Sequence, residues 1–285
     1  MSLENKYDFK VIFSVKKANP NGDPLNGNRP RQDFEGFGEV SDVAIKRKIR
    51  NRLQDFKEPI FIQSSDRSDD GFNNLKDRLE SVEELKKILK DKKKADVDAF
   101  ARAACESWID VRSFGQVFAF SGTQVSVGVR GPVSVQLAES VEPVEVNSMQ
   151  IIKSVNSVPG AGKGPDTMGT KHFVTNGLYT FNGSINPQLA EKTGFSDDDA
   201  KKILEALKSL FENDASAARP EGSMVVEKVY WWKHPSKSGK YPSAKVHRSV
   251  NIAKKEGIDN PHSIEDYIIT VEELNGLPVQ AFDGM

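Results

Sequence analysis

The order of apolar and polar positions carries the first prediction. Residues 7–16 alternate, with Tyr7, Phe9, Val11, Phe13 and Val15 on one side and Lys10, Ser14 and Lys16 on the other. That period of two is the period of a pleated strand. Residues 18–31 are too dense in Asn, Gly and Pro to continue a ladder, so they read as a turn. Ser41 then offers an N-cap, and Ile45, Ile49, Leu53 and Phe56 form an apolar stripe at helical spacing. On that helix Lys46 and Arg50 flank the stripe on one shoulder, Lys48 and Arg52 flank it on the other, and Arg47 points away.

Further along, residues 57–111 read as an insertion. It holds a polar loop over 63–71, an amphipathic helix through Leu75, Leu79, Val82, Leu85, Ile88 and Leu89, and a short helix over about 96–107. A strand pair is expected next. Residues 108–115 lead into 117–120, then Val125, Val127, Val129, Val133, Val135 and Leu137 alternate across Gly131-Pro132. Proline inside such a run implies an edge or a bulge. Residues 151–158 and 167–174 flank a Gly/Pro-rich tip, which predicts an extended hairpin. A strand over 178–185, a helix capped by Ser196 and a strand over 224–232 follow. The tail is read coarsely, with a strand near 267–271. With the insertions set aside, the order strand, helix, strand, strand, helix, strand is ferredoxin-like, an α+β class. RNA-recognition modules use such a sheet with one face open, but their aromatic signature is not visible here, so stacking on the sheet face is not expected.

Composition narrows the class. The chain has 285 residues and a formal net charge of −1, which argues against a simple nucleic-acid-coating protein. The charge is unevenly placed: 10–52 and 228–248 are basic, whereas 256–285 are acidic. Such polarity suits a self-stacking subunit with one face for a polyanion and another for its neighbour. No apolar run is long enough to span a bilayer, no secretory signal is expected after Met1, and the single Cys105 suits a reducing compartment, so the cytoplasm is expected.

No catalytic constellation stands out, and no metal or cofactor is expected. The Gly/Pro tip is not a phosphate-binding P-loop, because Gly164 follows Lys163 where Ser or Thr is required. Asp197, Asp198 and Asp199 read as first-turn capping residues, with a metal site as the alternative. The Arg29 and Arg31 side chains, backbone N–H groups near Gly22 and Gly27, and the basic helix suit a phosphate backbone. A solvated surface helix beside a long surface turn is the plainer reading of the same residues.

Two segments, Asn19-Pro20-Asn21-Gly22-Asp23-Pro24 and Gly27-Asn28-Arg29-Pro30-Arg31, resemble the opening of the backbone subunit of CRISPR Cascade complexes, the Cas-seven family in its type I-C branch. The helix after Ser41 is similar to the one that follows there. Residues 110–115, 129–133, 168–174 and 216–219 extend the resemblance, and the first two of these look like paired core strands. It implies a modified ferredoxin-like, RRM-like core over about 1–56, 112–150 and 176–235. A helical finger over 57–111, a β-hairpin thumb over 151–175 and a C-terminal segment over 236–285 complete a single discontinuous domain.

The implied function is a non-catalytic scaffold that polymerises along a CRISPR RNA and supports pairing of the guide with target DNA. Its partners would be further copies of itself, the guide-end-capping, large and small subunits, and indirectly a helicase-nuclease. Lys46, Arg47 and Arg50 would hold phosphates, and Asn19, Asn21, Arg29 and Arg31 would shape the loop around the backbone. Lys163, Met168, Lys171, His172 and Phe173 would serve the thumb, with Met168 and Phe173 stacking on bases or packing at the hairpin base. Two alternatives stand beside this. One is a metal-dependent RNA endonuclease of the type III kind using Asp33, with Asp23 nearby; the other is a self-assembling protein without nucleic acid.

Overall fold

The computed structural model describes residues 3–90, 96–119, 126–152 and 168–285. Strand β1 (Tyr7–Ala18) is its central element. The expected alternation is visible: Phe9, Val11, Phe13 and Val15 are all buried on one side. After β1 the chain makes a small ladder of β2 (Gly22–Asp23) and β3 (Arg29–Pro30), then β4 (Phe37–Val40) and helix α1 (Asp42–Asp55). Ser41 caps α1 by accepting the Ala44 N–H at 3.3 Å, as its sequence position suggests.

The insertion is helical. It comprises α2 (Leu75–Glu80), α3 (Glu83–Lys90), α4 (Val97–Ser107) and α5 (Ile109–Phe114), followed by the hairpin β5 (Gly115–Ala119) and β6 (Ser126–Arg130). These elements close over a second core containing Phe61, Leu79, Phe100, Trp108, Phe118 and Val127. Phe61 lies 4.7 Å from Trp108 and 5.3 Å from Phe118, centroid to centroid, so aromatic packing holds the unit together.

The strand expected over 108–115 is therefore a helix as far as Phe114. A six-residue run buried on both sides has no period that separates the two states. Gly115, at φ 81°, ends the helix, and a Cβ there would meet Val129 O at 2.3 Å. The alternating valines are also divided. Gly131-Pro132 separates β6, which pairs with β5, from β7 (Val133–Val135), which joins the main sheet.

The chain continues through β8 (Ala138–Pro143), β9 (Val146–Ile152), β10 (Met168–Ile185), α6 (Pro187–Thr193), α7 (Asp197–Lys208) and β11 (Met224–Lys233). It ends with α8 (Ser243–Arg248), β12 (Val250–Lys254), β13 (Tyr267–Val271) and β14 (Val279–Asp283). The main sheet runs β14-β11-β1-β10-β8-β4, with β7 and β9 also on β10, and every neighbouring pair is antiparallel. Strand β10 is one 18-residue strand where the sequence suggested two. The fold is thus mixed α and β around one antiparallel sheet.

The sheet has two covered faces. Ile45, Ile49 and Leu53 of α1, with Ala200, Ile203 and Leu207 of α7, pack on the Phe9–Val15 side. Fully burying each large apolar side chain contributes roughly 1.5–3 kcal/mol, so this layer dominates the stability. On the opposite side Ile12, Leu178, Tyr230 and Trp232 are covered by Val246, Val250, Tyr267, Leu274 and Leu277 of the C-terminal segment. Asp8 and Lys10 are buried beneath the same cover. The Lys10 ammonium donates to His247 O (3.1 Å) and Val250 O (2.9 Å), and Asp8 accepts from His234 Nε2 (2.8 Å). His234 Nδ1 accepts the Lys240 N–H at 2.9 Å, which leaves the ring proton on Nε2.

Candidate nucleic-acid interface

The loop after β1 is held by its own asparagines. Asn19 donates to Asn28 O at 2.7 Å, and Asn21 Oδ1 accepts the Ser41 N–H at 2.9 Å. Asn21 thus ties the loop to the start of α1. A Cβ at position 22 would lie 2.0 Å from Asn28 Oδ1, so a larger residue there would have to displace the Asn28 side chain, and Gly27 adopts φ 58°. Arg31 N–H donates to Asn21 O at 3.0 Å and its guanidinium pairs with Asp23 at 3.5 Å.

Arg29 reaches the hairpin. Its Nη1 donates to Ser148 Oγ at 3.0 Å and lies 3.4 Å from His172 Nδ1, and Ser148 Oγ is 2.8 Å from that nitrogen. Loop and hairpin therefore meet at the root of the β9–β10 hairpin, where seven residue pairs run from Met168↔Ile152 to Val174↔Val146. This register places Met168 and His172 on one face and Lys171 and Phe173 on the other, so Met168 and Phe173 cannot act side by side. Met168 is 62% exposed, whereas Phe173 is half-buried. Lys163 lies outside the described residues.

The basic helix differs most from its sequence reading. Its shoulders are not open to solvent. Lys46 pairs with Asp42 at 2.9 Å. Arg47 does not point away: it donates to Ile62 O at 2.6 Å. Burial, then the neighbouring Arg50, lowers its proton affinity. Lys48 is buried against Asp214. Arg50 binds the fully buried Asp110 at 3.0 Å and lies over the Phe114 ring. Arg52 bonds Asp55 (2.8 Å) and Ser209 (3.0 Å). Lys46 and Arg52 find carboxylates on α1 itself, whereas Arg47 and Arg50 are engaged by the helical insertion and Lys48 by the segment after α7.

Between these covers a cleft of about 320 Å³ remains. The loop contributes Pro20, Asn21 and Gly22, and α1 contributes Arg47, Lys48 and Asn51. Arg67 and Arg219 close it from two distant segments, so four cations face two carboxylates, Asp66 and Asp214. Arg67 and Arg219 were not singled out in the sequence. Arg219 closes the 216–219 segment of the resemblance, but only the fold brings it and Arg67 beside Asn21 and Arg47.

Asp33 closes a tight turn, its Oδ1 accepting the N–H groups of Glu35 (2.9 Å) and Phe37 (2.8 Å). The acid trio of α7 also has structural partners. Asp199 completes a capping box with Ser196 and pairs with Arg112 at 2.8 Å, while Asp197 accepts the Tyr7 hydroxyl at 2.7 Å. Among the described residues no group of three or more His, Cys, Asp or Glu side chains could hold a metal ion, and no helix is long and apolar enough to cross a membrane.

Comparison with known proteins agrees with this architecture. Over 96% of its length the chain is 24% identical to the CRISPR-associated protein Cas7 of Haloferax volcanii, covering 83% of that protein. A chain of a solved CRISPR RNA-guided surveillance complex in a pre-nicking state has a similar fold, with a TM-score of 0.50 at 14% identity. That likeness covers 80% of this chain and 78% of the other. A second CRISPR RNA-guided surveillance complex gives 0.46 at 18% identity, over 80% and 68% of the two chains. The model of the family described as CRISPR-associated protein Cas7 matches residues 5–272, and the chain belongs to that family.

Proposed function

We propose that this chain is a non-catalytic backbone subunit of a type I-C Cascade particle, polymerising along a CRISPR RNA without reading its sequence. One observation carries the reading: the family match over 5–272 includes every residue that lines the basic cleft. Phosphates of the guide lie in that cleft against Arg47, Arg67 and Arg219, with Lys46 at its helical margin. Asn19, Asn21, Arg29 and Arg31 hold the loop in shape, and Arg29 hands the strand on to His172 and Met168 on one face of the hairpin, with Lys171 on the opposite face and Lys163 as a further cation of the thumb segment. Phe173 supports the hairpin from its other face, and Arg50 acts by positioning α1. Phosphate contacts fix the path and carry no sequence information, so the guide itself reads target DNA by base pairing.

The remaining partners are further copies of the chain, the guide-end-capping, large and small subunits, and indirectly a helicase-nuclease, all in the cytoplasm. The order β11-β1-β10-β8, with α1 and α7 on one face, supports a modified ferredoxin-like, RRM-like core, because it is a fourth-first-third-second arrangement of the core strands.

The test is RNA binding. Purified protein should retain RNA, visible in its ultraviolet spectrum, and Arg47→Ala with Arg219→Ala should strip it while circular dichroism stays unchanged. Each lost phosphate contact should lower the slope of log affinity against log salt by about 1, so this pair should lower it by about 2. Retention of RNA with an unchanged slope would remove the cleft from the reading.

A further inference from the structure

The C-terminal cover stops short of the Ala18 end of β1, and a trough opens where it stops. Residues 261–265 face Ser14 and Lys16 of β1 across a cleft of about 270 Å³. A second cleft of about 310 Å³ adjoins it, sharing Leu178, Pro261, His262 and Tyr267 and reaching Glu145 between β8 and β9. Among the described residues, none that lines this trough also lines the basic cleft beside α1.

The trough has the opposite sign to the basic cleft. Among the described residues, Glu142, Glu145 and Asp259 line the second cleft without a lysine or arginine. Glu227 and Glu265 line the first beside Lys16. Two of these carboxylates have partners within the fold. Glu142 pairs with Lys254 at 3.1 Å, and Glu227 accepts the Ser14 hydroxyl at 2.6 Å. Glu145, Asp259 and Glu265 are exposed and make no ion pair among the described residues.

An acidic rim alone would be a solvated surface. This one surrounds a polar group that the fold leaves unused. Tyr267 lines both clefts and is only 8% exposed, yet its hydroxyl has no hydrogen-bond partner among the described residues. Burial, then the charges of Glu142 and Asp266, push that phenol up to about 12, so it stays protonated and can both donate and accept. The loop beside it is fixed in advance. Asn176 of β10 bonds His262 Nδ1 at 3.1 Å, and Asp266 accepts the N–H groups of His262 (2.7 Å) and Ser263 (3.1 Å). Pro143, Val144 and Leu178 give the second cleft an apolar wall.

We propose that the trough binds a basic peptide segment of a partner protein, with one arginine side chain in the second cleft. The aliphatic stem of that arginine lies along Val144 and Leu178, and its guanidinium donates to the Tyr267 hydroxyl and to Glu145 and Asp259. The inference is independent of the RNA reading and uses none of its residues. Three arguments select the occupant. The first is sign: five carboxylates against Lys16 and Lys254 repel phosphates and attract cations. The second is shape. The acceptors stand on three separate stretches of chain, and a planar fork of five donors can address several at once, whereas an ammonium is a single point charge. The third is extent. The adjoining cleft offers Glu227 and Glu265 to a second cation, which a peptide supplies and a free arginine does not.

Calorimetric titration of the full chain tests this. A blocked arginine-glycine-arginine tripeptide should bind saturably with one site per chain. Blocked lysine-glycine-lysine and N-acetyl-arginine amide should each bind about tenfold more weakly or worse, the first for want of the fork and the second for want of the linked cation. Glu145→Gln with Asp259→Asn changes two exposed side chains, leaves the circular dichroism spectrum intact and should weaken the tripeptide by about tenfold or more. Tyr267→Phe should weaken it by about tenfold, the weight of one hydrogen bond to a charged group, with no fall in melting temperature. A tyrosine of purely structural role would show the reverse, a lower melting temperature at unchanged affinity, and would overturn the assignment. Absence of saturable binding, or equal binding by the Glu145 and Asp259 variant, would overturn the site itself. Equal affinity for the lysine peptide would overturn the guanidinium, and equal affinity for arginine amide would overturn a peptide occupant. Loss of RNA binding by the unmodified protein would count against the scaffold reading and leave these titrations standing.

Discussion

Arg50→Ala is the substitution that best separates a positioning role from a phosphate contact. In the folded chain Arg50 Nε donates to Asp110 Oδ2 at 3.0 Å, and the Asp110 side chain is completely buried. The same carboxylate accepts the Phe61 N–H at 2.8 Å and the Ile62 N–H at 3.0 Å. One aspartate therefore fastens the start of the helical insertion to α1. Removing one member of a buried ion pair costs about 3–5 kcal/mol, because the remaining charge stays in a poor solvent. The two backbone donors still solvate Asp110, which favours the lower end of that range. Loss of the guanidinium over the Phe114 ring, 4.9 Å from its centroid, adds about 0.5–1 kcal/mol.

A cost of about 3 kcal/mol corresponds to a fall of roughly 6–12 °C in the melting temperature of a chain of this order of size. Differential scanning calorimetry reads it directly, and limited proteolysis should cut first between α1 and α2. Asp110→Asn should be at least as harmful, since its amide N–H groups would face a backbone N–H. Assayed well below its melting temperature, Arg50→Ala should keep more RNA than Arg47→Ala with Arg219→Ala. A melting temperature within about 2 °C of the parent, together with complete loss of RNA, would refute this reasoning and return Arg50 to the phosphate contacts.

Three further outcomes are expected. Burial lowers the proton affinity of His247 against the opposing pull of Asp8, so the folded state binds a proton less readily than the unfolded state. Its contribution is fully present above the ordinary imidazole value of 6.5 and is lost as the pH falls through it, so urea midpoints should drop between pH 7.5 and 5.5. A rise in that window would contradict the sign. Burial pushes the Cys105 thiol up to about 11, so Ellman's reagent should label it only at the rate of unfolding; prompt labelling of the native protein would be the contrary result. Asp33→Ala should cost about 1 kcal/mol through the lost turn, and complementary RNA with divalent metal should stay intact with or without it. Periodic cuts that disappear in the mutant would favour the endonuclease alternative.

What the sequence disclosed depended on the range of the interaction. The α1 boundary was legible because Ser41 and the Ile45, Ile49, Leu53 stripe act within a few residues of one another. The state of Lys48 and Arg50 was not, since their partners are remote in sequence: Asp110 is 60 residues from Arg50, and Asp214 is 166 from Lys48. The same limit hid Arg67 and the place of Arg219, whose segment the resemblance covers but which lines the cleft only once the chain has folded. Tyr7 through Lys16 gave the strand and its faces correctly, but not that Lys10 would end buried under α8 and β12. In 109–114 local pattern failed outright, because burial on both sides erases periodicity. The opposed faces of Met168 and Phe173 needed only parity along a strand, which counting residues already supplies.

The cover on the second face of the sheet decides where a polyanion can lie. A four-stranded sheet with helices behind it would ordinarily leave its front free for bases. Here Trp232, Tyr230 and Ile12 are sealed by the C-terminal segment, and Lys10 is spent on its carbonyl groups. Every candidate contact is consequently displaced to the rim at the Ala18 end of β1: the Asn19–Arg31 loop, the start of α1, Arg219 and the hairpin. This also accounts for a near-zero net charge. Most cations of α1 neutralise carboxylates within the fold, so the total charge says little about the cleft, where the local excess of positive charge sits. If the cover were loosened, for instance by Trp232→Ala, RNA affinity should not rise through a newly bared sheet. Its inner side chains are mainly aliphatic and aromatic, and Lys10 and Lys228 on that face are already engaged, Lys10 by His247 O and Val250 O and Lys228 by Asp283, so the loss would be of stability alone, about 3–5 kcal/mol for a large buried aromatic.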